Sequence, residues 1–153
     1  VTRLRTRLIG SWQLADWKVF TTNGAIDPPL GPAERCTGLL IYTSEGTMSA
    51  HLTLTDRMRF ADASLDGGSV EEKAGAYSSI ISYAGTWDAD DATGRVIHHV
   101  RMATFPNFVG ADLERLCVFD DDDTLKLDTP PMAMGGETRP SYILWRRLSG
   151  RGA

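Results

Sequence analysis

Two cysteines and three histidines are the chain's whole supply of thiolate and imidazole metal ligands, in 153 residues. Cys36 and Cys117 are too few for a disulfide framework and lack zinc-ligand spacing, which fits small buried hydrophobes in a reducing cytosol and leaves room for one bridge at most. His51, His98 and His99 contain no H-x-H or H-x-x-E-H arrangement, so no metal site is expected. Long apolar runs are also missing. None approaches the roughly 20 residues of a membrane helix, and the opening VTRLRTRLIG lacks the apolar stretch of a secretory signal; a cytoplasmic protein that spans no membrane is expected.

Basic charge is in deficit, with 16 Lys and Arg against 20 Asp and Glu for a net charge of -4. The cations are scattered among the carboxylates, so nucleic acid is excluded as an expected partner. No Gly-rich phosphate loop leads from a strand into a helix and no G-x-S-x-G elbow is present. Nucleotide cofactors and a serine hydrolase mechanism drop out with them, and no cofactor is expected.

What is present is turn punctuation and a hydrophobic content of 42%, enough for one core-forming domain over residues 1–153. Short β segments alternate with turn residues, the pattern of a sandwich or barrel. Eight strands are predicted: Ile9 to Thr21, Thr37 to Thr43, Thr47 to Leu54, Ser82 to Asp88, Arg95 to Ala103, Leu113 to Phe119, Thr124 to Thr129 and Ser141 to Leu148. TSEGT, DADDATGR and FDDDDTL read as hairpin turns, with Gly46 at a left-handed position. The Asp120 to Asp123 run lacks the spacing and the distal Glu of a calcium loop. One helix is predicted near residues 70–81, where Ser69 precedes Glu72 by three residues and Val70, Ala74, Tyr77 and Ile81 form an apolar stripe to lay against the sheet or across one end. DPPLGP and TPPMAMGG read as long connections, of a kind that often rims a binding mouth.

Several segments in order carry a resemblance: GSWQLADW, GLLIYTSEGTMSA, AYSSIISYAGTWD, HHVRMATFPNFVG, LKLDTPP and YILWRR. Together they resemble the bacterial and fungal lipocalin-like domain family across nearly the whole chain. Phe108 stands where Trp is usual, and His51 where an amide is more usual. The resemblance implies an all-β, eight-stranded antiparallel up-and-down barrel with room inside for one small ligand. It also implies that Trp12 packs at the closed end beneath Arg146 or Arg147. A homodimer is compatible with it.

Strand parity then sorts side chains between inside and outside. Val96, His98, Val100 and Met102 share an apolar face and should point inward, with His99 and Arg101 outward, so the two adjacent histidines cannot chelate one ion. Leu40, Tyr42, Met48, Ala50 and Leu52 form the inner face of their hairpin; His51 faces out unless a bulge reverses the register. On the first strand Trp12, Leu14, Asp16, Lys18 and Phe20 oppose Gln13, Ala15, Trp17 and Val19, and neither face is cleanly polar. Asp16 is either an interior carboxylate near His98 or an ordinary surface charge.

His98 accordingly has two readings. It is a general acid or base assisted by Tyr42, Tyr83 or Asn107, or a structural histidine satisfied by its neighbours. Asn107 either points into the mouth between Phe105 and Phe108 or merely bends the chain. The expected function is binding of a small hydrophobic, polyketide- or terpenoid-like molecule, with cofactor-free isomerisation or cyclisation by His98, His51, Tyr42 and Asn107. Leu14, Asp16, Met48, Tyr83, Trp87, Val100, Met102, Phe105 and Phe108 would line the ligand site. The alternative is a carrier or sensor that uses the same cavity without proton transfer.

Overall fold

A computed structural model describes residues 3–149, so the single domain expected over residues 1–153 extends beyond them at both ends. Nine strands follow in order: β1 (Gly10–Thr21), β2 (Gly24–Ile26), β3 (Cys36–Tyr42), β4 (Thr47–Leu54), β5 (Ile80–Asp90), β6 (Arg95–Ala103), β7 (Asp112–Asp121), β8 (Thr124–Met134) and β9 (Glu137–Arg147). Each pairs antiparallel with its neighbour, and β1 pairs with both β3 and β9. Eight strands therefore close into a barrel. The ninth, β2, was not expected; it folds back on the end of β1 through Val19↔Ile26 to Thr21↔Gly24.

The expected turns sit where their chemistry allows. Gly46 in the β3–β4 turn has φ 95°, a conformation open to glycine at no steric cost. TPPMAMGG is the exception to the expected connections. β8 continues to Met134, and the turn shrinks to Gly135 and Gly136, both at positive φ, a two-residue hairpin of the type whose twist matches the strands. Pro130 and Pro131 are absorbed at a break in register between Thr129 and Met132, where no ladder N–H is demanded of them.

Because the strands alternate in direction, the connections divide between two ends. The tight turns after β3, β5 and β7 close one end, and α1 (Leu4–Leu8), also unexpected, plugs it. Leu8 is fully buried, its carbonyl accepts the Trp12 indole N–H at 2.9 Å, and Leu4 N–H reaches Asp91. The Arg147 guanidinium lies 4.1 Å from the Trp12 ring centroid and donates to the carbonyls of Ile9 and Arg7. The expected pairing of Trp12 with a last-strand arginine thus falls on Arg147.

The longer connections gather at the other end, which is open. They include α2 (Val70–Ser78), whose Ser69 forms a full capping box with Glu72. The helix stops before residue 81, and its apolar stripe is not buried: Val70 is 85% and Tyr77 50% exposed. Ile81 instead belongs to β5 and faces the barrel interior. Arg57, in the connection after β4, donates to the Ala76 carbonyl and Ser79 Oγ and so ties down the end of the helix.

Candidate functional site

Inside the barrel is a cavity of about 570 Å³, in the size range of small-molecule sites. Its position follows from strand alternation, corrected at two bulges. On β1 the register shifts between Leu14 and Asp16, so the inner face reads Trp12, Leu14, then Trp17 and Val19. One extra residue explains why neither face of this strand is cleanly polar in sequence. Asp16 is consequently turned out, accepting the Trp17 N–H at 2.8 Å and facing Lys18 Nζ at 3.9 Å; it is a surface charge off the cavity wall.

The second bulge lies between β5 and β6, where Gly85 pairs with Val100 but Ala84 with Met102. Arg101 is the extra residue. Beyond it the parity reverses, and Met102, expected inside, is 64% exposed. Gly85 makes the distortion feasible, because a Cβ there would overlap the His99 carbonyl oxygen. Before the bulge the alternation holds: Val96, His98 and Val100 are buried.

His98 is 1% exposed. Its Nε2 lies 2.6 Å from the Tyr42 hydroxyl and its Nδ1 2.8 Å from the Tyr83 hydroxyl. Burial first, and then the nearby Arg115 charge, push its pKa well below the usual histidine value, so the ring is neutral and only one nitrogen carries hydrogen. The Tyr42 hydroxyl is fully buried, and its one hydrogen-bond partner among the described residues is His98. It must therefore donate to Nε2, since a buried O–H without an acceptor is costly. By elimination Nδ1–H donates to Tyr83 Oη, and the Tyr83 hydroxyl hydrogen is left over. Burial raises the pKa of both tyrosines, so both keep that hydrogen.

The adjacent His99 points outward between Asp112, at 2.7 Å, and Asp88, at 3.0 Å. Hydrogen bonds to those carboxylates, Asp112 first, raise its pKa. His51 also lies outside the barrel, its ring between Ser82 Oγ at 2.9 Å and Ser49 Oγ at 3.3 Å. The β3–β4 register carries no shift, so the reversal that would have turned His51 inward is absent. Asn107 is exposed in a short 3₁₀ turn over Pro106–Phe108 and lies off the cavity wall. Its flanking rings do reach the wall: Phe105 and Phe108 meet edge to face at 5.1 Å, and Phe108 meets Tyr83 at 5.9 Å.

Of the residues singled out in sequence, His98, Tyr83, Phe105 and Phe108 line the cavity. Tyr42, Met48, Trp87 and Val100 are buried in the wall around them, and Leu14 packs partly buried against the core. Asp16, His51, Met102 and Asn107 fall outside. Missed altogether were Trp17, Arg115, Arg139 and Trp145. Arg115 had a signal, because it shares strand parity with Leu113, Cys117 and Phe119, an otherwise apolar face. No cluster of three His, Cys, Asp or Glu side chains suited to a metal ion occurs among the described residues. Cys36 and Cys117 are both free thiols.

The Lipocalin-like domain family matches residues 9–148. A protein of Aspergillus oryzae described as "4'-hydroxy-3'-methoxypropiophenone carrier protein ppsC" is 35% identical over 88 residues, covering 53% of this chain and 78% of that protein. Among solved structures, a redesigned β-barrel is similar at 13% identity and TM-score 0.47, covering 97% of this chain and 98% of the other. A de novo designed fluorescence-activating β-barrel is similar at 10% identity and TM-score 0.44, covering 97% and 100%.

Proposed function

The chain belongs to the Lipocalin-like domain family, and on that premise we propose that it binds a small hydrophobic metabolite in the barrel and carries it unchanged. The observation that bears most weight is the state of His98. A general base must offer a free lone pair to its substrate, and the His98 lone pair is taken by the Tyr42 hydroxyl while its N–H is taken by Tyr83. The isomerase or cyclase reading relied on His98, His51, Tyr42 and Asn107, of which two lie outside the barrel and two are bonded to each other. Carriage needs only the cavity.

The relative from Aspergillus oryzae, a carrier of an aryl ketone by its description, supports the same direction and suggests the size of the cargo. A hydroxylated, methoxylated aryl ketone has an apolar ring and several acceptor oxygens, a chemistry suited to walls of Trp17, Phe105, Phe108 and Trp145 with a few polar groups between them. The test is calorimetric titration with 4'-hydroxy-3'-methoxypropiophenone, followed by chromatographic recovery after prolonged incubation. Saturable binding with full recovery of unchanged ketone is expected. Protein-dependent conversion to an isomer or cyclised product would overturn carriage in favour of catalysis.

A further inference from the structure

Beside the Thr129 and Ser141 hydroxyls, the cavity wall carries several hydrogen-bond donors that lack an acceptor. Arg115 is 9% exposed, and no carboxylate among the described residues lies within ion-pair distance of it. Its Nη1 donates to the Glu114 carbonyl at 2.8 Å, and its charge neighbours the Tyr83 hydroxyl. Tyr83 itself has a hydroxyl hydrogen with no assigned acceptor once His98 Nδ1–H donates to its oxygen. Trp145 lines the same cavity with its indole Nε1–H buried and unpartnered, and Arg139 has its Nε in the same condition nearer the mouth. The single carboxylate on the wall, Asp27, is exposed at the rim.

A buried cation without a counter-ion is costly, and so is each buried donor without an acceptor. Several of them facing one apolar space describe the complement of a ligand. We propose that the cavity takes its cargo as an organic anion, an apolar molecule whose acid group sits on the Arg115 guanidinium and the Tyr83 hydroxyl, with a second, uncharged acceptor for Trp145 Nε1–H. An arginine side chain presents a fixed positive charge and a planar fork of donors. It therefore selects against the neutral analogue of the same shape, leaving one buried charge unpaired when that analogue binds. This inference rests on the carrier reading and names the chemical class of its cargo.

Two fluorescent probes with one scaffold separate the possibilities: 8-anilinonaphthalene-1-sulfonate and N-phenyl-1-naphthylamine, which differ by the sulfonate. The sulfonate probe is expected to bind the intact protein at least about tenfold more tightly, a ratio that corresponds to one good charge-assisted contact. Arg115→Met should abolish that preference by weakening the sulfonate probe alone, and Arg115→Lys should keep part of it. Ala50→Trp, which fills the cavity, should lose both probes and so locate them inside. Equal affinities in the unaltered protein, or a preference that survives Arg115→Met, would overturn the anion inference while leaving cavity binding intact. Failure of both probes to bind would overturn the carrier reading and the inference with it.

Discussion

The Tyr42 hydroxyl lies 2.6 Å from His98 Nε2, with both side chains fully buried. That one contact fixes the tautomer of the imidazole, directs its remaining hydrogen to Tyr83, and leaves the Tyr83 hydroxyl to face whatever occupies the barrel. Removing the donor should therefore be felt in folding before it is felt in binding. Tyr42→Phe leaves a buried ring nitrogen without its donor and is expected to cost about 1–3 kcal/mol, read as a lower midpoint in urea denaturation.

The pH dependence of stability has a sign set by His98. Its folded pKa lies well below the ordinary 6.5 because the buried ring resists charge, whereas the unfolded chain protonates it near that ordinary value. Above about pH 6.5 both states are neutral and His98 contributes no slope. Below it the unfolded state binds the extra proton, and stability should fall by about 1.4 kcal/mol per pH unit from this group. His99 has the opposite sign: its raised pKa gives stability that is full at low pH and is lost as pH rises through the folded value. Comparing unaltered protein with His98→Gln across pH 5 to 8 cancels the His99 contribution, and the His98 slope should vanish in the variant.

Gly85 is where the β5–β6 bulge needs an absent side chain. Gly85→Ala would press a methyl group into the His99 carbonyl, and a loss of about 1–3 kcal/mol is expected from overpacking. Thermal denaturation reads it, and an unchanged melting temperature would mean that the bulge relaxes freely.

The architecture was legible in the sequence because alternation and turn chemistry are local. Eight strands and the inward row Leu40, Tyr42, Met48, Ala50 and Leu52 follow from period-two patterning, and the capping box at Ser69 from the position of Glu72 three residues on. The site was less legible, and the bulges are the physical reason. An extra residue at Ala15 or Arg101 inverts every assignment beyond it, which left Asp16 with two readings and sent Met102 to the wrong face. Arg115 escaped notice for a different reason: arginine is so seldom buried without a partner that its place in an inward row reads as noise until the cavity beside it is known.

Arg147 should matter to the closed end as much as any core residue. It stacks on Trp12 and donates to the carbonyls of Arg7, Ile9 and Asp122. Arg147→Ala is expected to destabilise by about 2–4 kcal/mol through lost charge-assisted hydrogen bonds and the cation-π contact. Faster amide hydrogen exchange over Leu4–Ile9 would place the loss at the plug.

Whether His98 handles a proton is open to direct measurement. An aryl ketone bound in the barrel can be incubated in deuterated water and recovered for mass spectrometry, since a base poised beside its α-carbon would exchange the hydrogens there. With both ring nitrogens held by Tyr42 and Tyr83, the recovered ketone should carry no more deuterium than ketone kept in buffer alone. Deuterium at the α-carbon above that level, lost again in His98→Gln, would contradict carriage without chemistry.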